Sequence, residues 1–455
     1  MPAIITDRFK KEILLNLQKD IDSAANNYYV SVGRPIDWNG TDTAPTPTNA
    51  IRTIRDAQYN MTAIKNVEAH SFVIPRYSWS LGAIYQAYND NSVGHPTNSF
   101  YVITDENNIY VCLEAGETAL GQSVTSTVKP TGTLTTAFET ADGYVWKFLY
   151  SVGALRASQF LSANFMPVTK FGPFDSDDAA DHVEQVGIQN AASPGEVVGY
   201  QVTSGGSGYT TVPTVEVIGN GVAANATATI SGGAVTKINV KDSDGNKAHG
   251  RNFTQAYVKI TGGNGSGAVA RPIIGPAAGF GADPRDDLKA TAMMFTAKPA
   301  GDEGSNWVIG NDFRQVTLVK NIEIPDSDAL YTGVTGNAMR RMKFSNISSS
   351  FSADKTILGS TSLANAYVVK SDSDEVWYIQ DSDTKFEPFV EGEVISETDG
   401  SGAGTLDASG VDGDSFAYIN GDVDISTGEV MYIDNRAAIQ RSADQTEDIK
   451  IIIQL

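Results

Sequence analysis

The sequence holds a single cysteine, Cys112, and only four histidines, His70, His95, His182 and His249. One thiol per chain excludes an internal disulfide framework and any zinc site built from paired thiolates. The histidines are scattered, with no HExxH and no i, i+4 pair, so they offer no metal-binding helix and no metal centre is expected. Charge is sparse as well: 19% of residues are charged, and the basic ones are outnumbered 33 to 54, for a formal net charge of -21. A surface of that sign repels phosphate backbones, so no nucleic-acid partner is expected. Long apolar runs are missing too. No window approaches the roughly 18 apolar residues of a membrane span, and the opening MPAIITDRFKKEILLNLQKDI intersperses charge among its apolar residues. No membrane partner and no signal peptide are expected, and synthesis in a cytosol follows from both.

What the chain has in abundance is glycine, 43 residues, together with Ser, Thr and Asn, which favours turn-rich β structure. The expected fold class is mainly β with a few helices. At 455 residues the chain exceeds what one hydrophobic core usually serves, so a multi-domain β-sandwich-like architecture is expected.

The final stretch, Gly428 to Leu455, constrains that architecture most. Ile449, Ile451, Ile453 and Leu455 alternate with Lys450, Ile452 and Gln454, the period of a strand with one apolar face. A free edge of that kind would template aggregation, so it must be paired, and Val430 to Ile433 is the nearest candidate partner. The strand is expected to be core and to close the fold.

Taken in order, Phe9, Ile13, Leu14, Leu17 and Ile21 fall at helical spacing after a Thr6 or Asp7 cap, which predicts an amphipathic first helix. NYYVSVG from Asn27 predicts a strand, TDTAPTPT from Thr41 a loop, and Asn49 to about Lys65 a second helix with Ile51, Ile54, Ala57 and Met61 buried. Asn107 and Asn108 between two alternating runs signal a hairpin. Asp142 and Gly143 mark a turn before a strand carrying Tyr144, Trp146, Phe148 and Tyr150 on one face.

Two compositional shifts suggest insertions. Residues 186–275 are rich in Gly, Ser, Val and Thr, and GYTTVPTVEVIGNG from Gly208 is echoed by NFTQAYVKITGGNG from Asn252, which predicts a small repeated β module. Residues 346–424 turn acidic, with short strands AYVVK, EVWYIQ, GEVISE and SFAYI. The expected organisation is a core at 1–185, an inserted Gly-rich module at 186–275, core again at 276–345, an inserted acidic module at 346–424, and a core-closing segment at 425–455.

Tests for chemistry mostly fail. No glycine cluster precedes Lys-Ser or Lys-Thr, and Gly219 to Gly221 is followed by strand alternation rather than a helix, so hairpin turns explain the glycines better than a phosphate loop does. Asp242, Asp244 and Gly245 resemble the start of a calcium loop, but Phe253 stands where a bidentate Glu is needed. A calcium site among Asp372, Asp374, Asp412, Asp414, Asp422 and Asp424 is weighed against solvated turn carboxylates, the simpler account. No GxSxG is present, and Cys112 inside IYVCLE suits a small buried apolar residue better than a nucleophile. No cofactor and no catalytic residue is assigned, and an enzyme is not expected.

Several segments, ordered along the chain, carry a family resemblance: VSVGRPIDW with Trp38, VIPRYSW from Val73, YVCLE from Tyr110, KPTGT from Lys129, DGYVWKFLY from Asp142, NDFRQVTLVKN from Asn311, GEVMYIDNR from Gly428 and DQTEDIKIIIQL from Asp444. Together the chain resembles the baseplate wedge protein, gene product eight, of T-even-type contractile-tailed phages. The modules at 186–275 and 346–424 have no counterpart in the short T-even version. The resemblance implies a β-rich, dimeric, non-catalytic virion protein of the tail baseplate, assembled in the host cytoplasm beside the other wedge proteins. It transfers no binding residue. Stable assembly interfaces bury on the order of 1,600 Å² and favour aromatic anchors. Tyr85, Tyr88, Trp307 and Trp377, in or beside polar segments, are the candidate interface residues. The alternative function is a glycan- or fibre-binding β protein used in host attachment, with polysaccharide hydrolysis by a carboxylate pair as a more remote option.

Overall fold

A computed structural model describes residues 3–38, 40, 43–118, 122–172, 180–408 and 419–455. The protein is mainly β, built from many antiparallel sheets with five helices among the described residues. By packing it divides into two compact units. One comprises Met1–Leu15, Ser71–Met294 and Ile452–Leu455, the other Asn16–His70 and Phe295–Ile451.

The second unit is organised around a five-stranded antiparallel sheet in the order Thr335–Asn337, Met61–Asn66, Tyr28–Gly33, Asp312–Lys320, Glu429–Gln440. Tyr28–Gly33 is buried along its whole length, and Asp312–Lys320 beside it is buried at all but its end residues. Strands covered on both faces lose the polar alternation of a half-exposed sheet. The helix expected up to Lys65 ends early. It runs over Ile51–Tyr59, and Asn60 caps it by donating from Nδ2 to the Asp56 carbonyl. Met61–Asn66 then continues as a strand because Met61 and Ile64 pack with Tyr29 in the sheet, which outweighs the helical spacing of Ile54, Ala57 and Met61. Ile51, expected in the buried face, is 69% exposed.

Residues 340–406 of the same unit form a closed antiparallel barrel, strand order Arg340–Ser349, Glu375–Ile379, Asn365–Ser371, Thr356–Gly359, Val394–Glu397, Ala403–Leu406, the last pairing back to the first. Its interior is apolar, with Met342, Phe344, Ile357, Val368, Tyr378 and Ile395 fully or almost fully buried. AYVVK, EVWYIQ and GEVISE supply three of its strands. SFAYI lies outside the described residues except for Ile419, which bridges to Arg341.

The first unit contains a four-stranded sheet, Tyr101–Ile103, Asn108–Glu114, Val145–Ser151, Phe138–Glu139. Its hairpin turn places Asn107 at φ 61, the left-handed conformation that asparagine tolerates. The Gly143 amide closes the turn before Val145–Ser151 on the Thr140 carbonyl, and Asp142 in it ties down residues 127 and 128 by accepting from the Thr127 and Val128 amides at 2.7 and 2.9 Å. Tyr144 and Trp146 stack at 5.6 Å in the core behind it.

The Gly-rich stretch folds into paired strands. The two echoing segments lie side by side. Thr214–Gly219 and Ala256–Thr261 are antiparallel partners, with Val215 opposite Ile260 and Glu216 opposite Lys259. The echo reflects two edges of one ladder that must present matching residue types to the same cluster around Tyr209, Val235 and Ile238.

The C-terminal strand, Ile449–Gln454, is paired as expected, but its neighbour is Ala292–Ala297 in a four-stranded sheet with Ala69–Pro75 and Phe165–Val168. The run Val430 to Ile433 instead pairs with Asp312–Lys320. Only Ile451 of the closing strand is fully buried, and Leu455 is 37% exposed. Its faces are thus half covered rather than core.

Candidate interaction surface

The first helix, Asp7–Ile21, starts where Thr6 accepts from the Phe9 amide at 3.3 Å, so Thr6 is the cap. At 100° per residue the apolar arc from Phe9 to Leu14 spans ~140°. Only its Leu14 edge is buried, at 1% exposure. Phe9 is 56% and Ile13 41% exposed, and Ile4 and Ile5, just before the cap, are 83% and 59% exposed. The expected amphipathic helix is present, but it turns one edge of its apolar arc outward.

Its orientation is fixed by charge. Lys11 Nζ sits 2.5 Å from Asp286 Oδ1 and 3.6 Å from Asp283 Oδ2. Lys10 Nζ donates to the Leu455 backbone oxygen at 2.7 Å, and Asp7 accepts from the Gly94 amide at 3.1 Å. Asp283 itself caps the short helix Pro284–Asp287 and is clamped by Arg285 through Nε and Nη2 at 2.9 Å each. Burial alone would lift its carboxyl. The Arg285 hydrogen bonds and the charges of Arg285, Lys11 and Lys170 more than offset this and hold it below the ordinary carboxylate value. Val93, next to the Gly94 contact, is 81% exposed and adds to the outward apolar surface.

The four aromatics singled out from the sequence lie elsewhere. Tyr85 is buried, its hydroxyl accepting from the Ser80 amide at 2.6 Å and its ring edge-on to Trp146. Tyr88 is buried between Phe100 and Phe280, and desolvation raises its phenol pKa. Trp307 is buried, with its indole donating to the Ile64 carbonyl at 3.1 Å and Arg441 over its face. These three are packing residues rather than exposed anchors: each is buried, the Tyr85 hydroxyl and Trp307 indole are hydrogen-bonded internally, and polar sequence neighbours do not decide burial. Trp377 alone is half-buried, on the barrel wall with Lys370 4.7 Å above its ring.

The carboxylates considered for calcium accept from donors of the chain itself where they are described. Asp242 accepts from the Asp244 and Asn246 amides at 2.9 and 2.8 Å. Asp424 accepts from the Ser426 amide and hydroxyl, Asp422 from the Asn337 amide, and Asp372 from the Ser373 amide, while Asp374 accepts from the Ser373 hydroxyl. Asp412 and Asp414 lie outside the described residues. Among the described residues no three His, Cys, Asp or Glu side chains gather into a metal-sized cluster. Cys112 is fully buried in the four-stranded sheet, and burial pushes its thiol well up, the opposite of an activated nucleophile.

No protein-family model matches the chain, and no curated protein sequence matches it. The outward apolar edge of the first helix, rather than the helix itself, is what the spacing does not show. The signal was there in Ile4 and Ile5, which carry apolar character beyond the cap and past what one helix face can bury.

Proposed function

We propose that the protein is a structural subunit of a contractile phage tail, a wedge component of the baseplate that acts by protein–protein assembly and forms a homodimer. The observation that carries this reading is the outward apolar edge of the first helix. Phe9 and Ile13 are exposed on a helix anchored through Lys10 and Lys11, and Ile4 and Ile5 are exposed just before its cap. An apolar surface fixed in place and left uncovered fits a chain that is completed by a neighbour.

The family resemblance supports it. VSVG, YVCLE, YVWKFLY, DFRQVTLVK and EVMYIDNR all fall on strands of the two units, where the side chains specify sheets. A pattern shared along sheet strands speaks for a shared fold, and function is inherited from it by analogy only. Mass spectrometry of purified tail particles tests the reading. The protein is expected as a stoichiometric component that remains through tail purification, and its absence from the particle contradicts the proposal.

A further inference from the structure

A cavity of about 340 Å³ opens in the first unit between the four-stranded sheet and the Gly-rich strands. That size is at the lower end of the roughly 300–1,000 Å³ of small-molecule pockets. Its wall holds Lys147, from the middle of the buried strand Val145–Ser151, at 5% exposure. The ammonium has one matched acceptor, the Thr135 carbonyl at 2.9 Å, and two further N–H groups without one among the described residues. Glu196, on the same cavity, acts on Lys147 through space but is not within ion-pair distance of it. Among the described residues no donor is matched to the Glu196 carboxylate. Burial pulls the Lys147 pKa down, and Glu196 and Asp287 offset part of that.

A cation and a carboxylate that share a cavity without touching leave a gap for a group that both accepts and donates. The remaining lining has the same mixed character. His249 donates from Nδ1 to the Val197 carbonyl at 3.0 Å. Glu139 and Lys247 pair with each other at 2.8 Å, so the wall adds no net charge from them. Phe138 offers the aromatic surface, set edge-on to Tyr110 behind it.

We infer that this cavity is a binding site for a small neutral polyhydroxylated ligand, of the saccharide class, with Lys147 donating to one hydroxyl, Glu196 accepting from another and Phe138 covering a C–H face. A hydroxyl supplies acceptor and donor together, whereas a simple anion satisfies Lys147 and leaves Glu196 opposed by a like charge. The site is independent of the assembly reading.

Competitive acetylation of the full chain tests it. Lysines are acetylated with acetic anhydride, and the rate at Lys147 is taken relative to exposed Lys19 by peptide mass spectrometry. The runs are made without additive and with millimolar glucose, galactose, mannose, N-acetylglucosamine, glycine or sodium acetate. The expected result is at least a threefold fall of the Lys147 ratio with one or more sugars, saturable in sugar, and none with glycine or acetate. Glu196→Gln and Phe138→Leu, each checked for folding by circular dichroism, leave Lys147 reactive but remove the protection. An unchanged ratio with every sugar, equal protection by glycine or acetate, or protection that survives both substitutions overturns the inference.

Discussion

Lys11 Nζ lies 2.5 Å from Asp286 Oδ1, on the side of the first helix that faces the body, while Phe9 and Ile13 are exposed. Lys11 is largely buried while Asp286 is half open, so the pair is neither a fully screened surface bridge nor a buried one. Lys11→Met is expected to cost about 1 kcal/mol, the upper end for exposed pairs. It should also speed amide exchange over residues 8–15 relative to the barrel. Unchanged exchange there shows that the Lys11 pair does not hold the helix.

Glu393 shows how the barrel secures its loops. Its carboxylate accepts from the Val390, Thr361 and Ser362 amides at 2.6, 2.9 and 2.9 Å and from the Ser362 hydroxyl at 2.8 Å. Burial by itself raises this carboxyl, but the donors prevail and its pKa is lowered. A depressed folded value means that the stabilisation is fully present above the unfolded pKa of about 4.3 and is lost as pH falls through the folded value. Glu393→Gln is expected to cost about 2–3 kcal/mol near neutrality. It should also flatten the acid limb of stability below about pH 4.3. Urea midpoints across pH 3 to 7 check both, and parallel acid limbs for the two proteins contradict the assignment.

Gly33 explains the glycine of the VGR segment. A Cβ there would lie 2.1 Å from the Asn60 carbonyl oxygen, which also accepts from the Arg34 amide at 2.9 Å. The backbone of one strand leaves no room for a side chain on the other at this bulge. Gly33→Ala is expected to destabilise by about 3 kcal/mol. The readout is the thermal midpoint, and a shift of under a degree contradicts the close approach.

The pairing of the echoing segments is checked by cross-linking. Glu216 and Lys259 stand directly opposite on the exposed side of one ladder, and opposite positions in an antiparallel pair have Cβ atoms about 4.5–5.5 Å apart, near the geometry of a disulfide. The double variant Glu216→Cys, Lys259→Cys is expected to oxidise within one chain, seen as a faster band on non-reducing gels. Two free thiols under mild oxidation fit separate repeats instead.

The elements legible in the sequence are those whose side-chain period and burial agree. The strand at Tyr28–Gly33, the Asn107 hairpin, the Asp142 turn and the first helix follow from local pattern. Met61–Asn66 was misread because Ile54, Ala57 and Met61 keep helical spacing while the adjacent sheet demands a strand. The partner of the closing strand was likewise unreadable: Val430 to Ile433 and Ala292 to Ala297 are equally apolar runs, and which one pairs is decided by topology. Tyr85, Tyr88 and Trp307 show the same limit, since their burial depends on Trp146, Phe280 and Ile64, distant in sequence. Lys147 was invisible as a site residue because a lysine inside YVWKFLY looks like the polar face of an ordinary strand.

The central claim is that the fixed apolar edge of the first helix is where a neighbouring subunit docks. Electron cryo-microscopy of the assembled tail measures this directly. The account predicts that Ile4, Ile5, Phe9 and Ile13 are covered by another chain in the baseplate, and a map in which those four side chains face solvent in the assembled particle contradicts it.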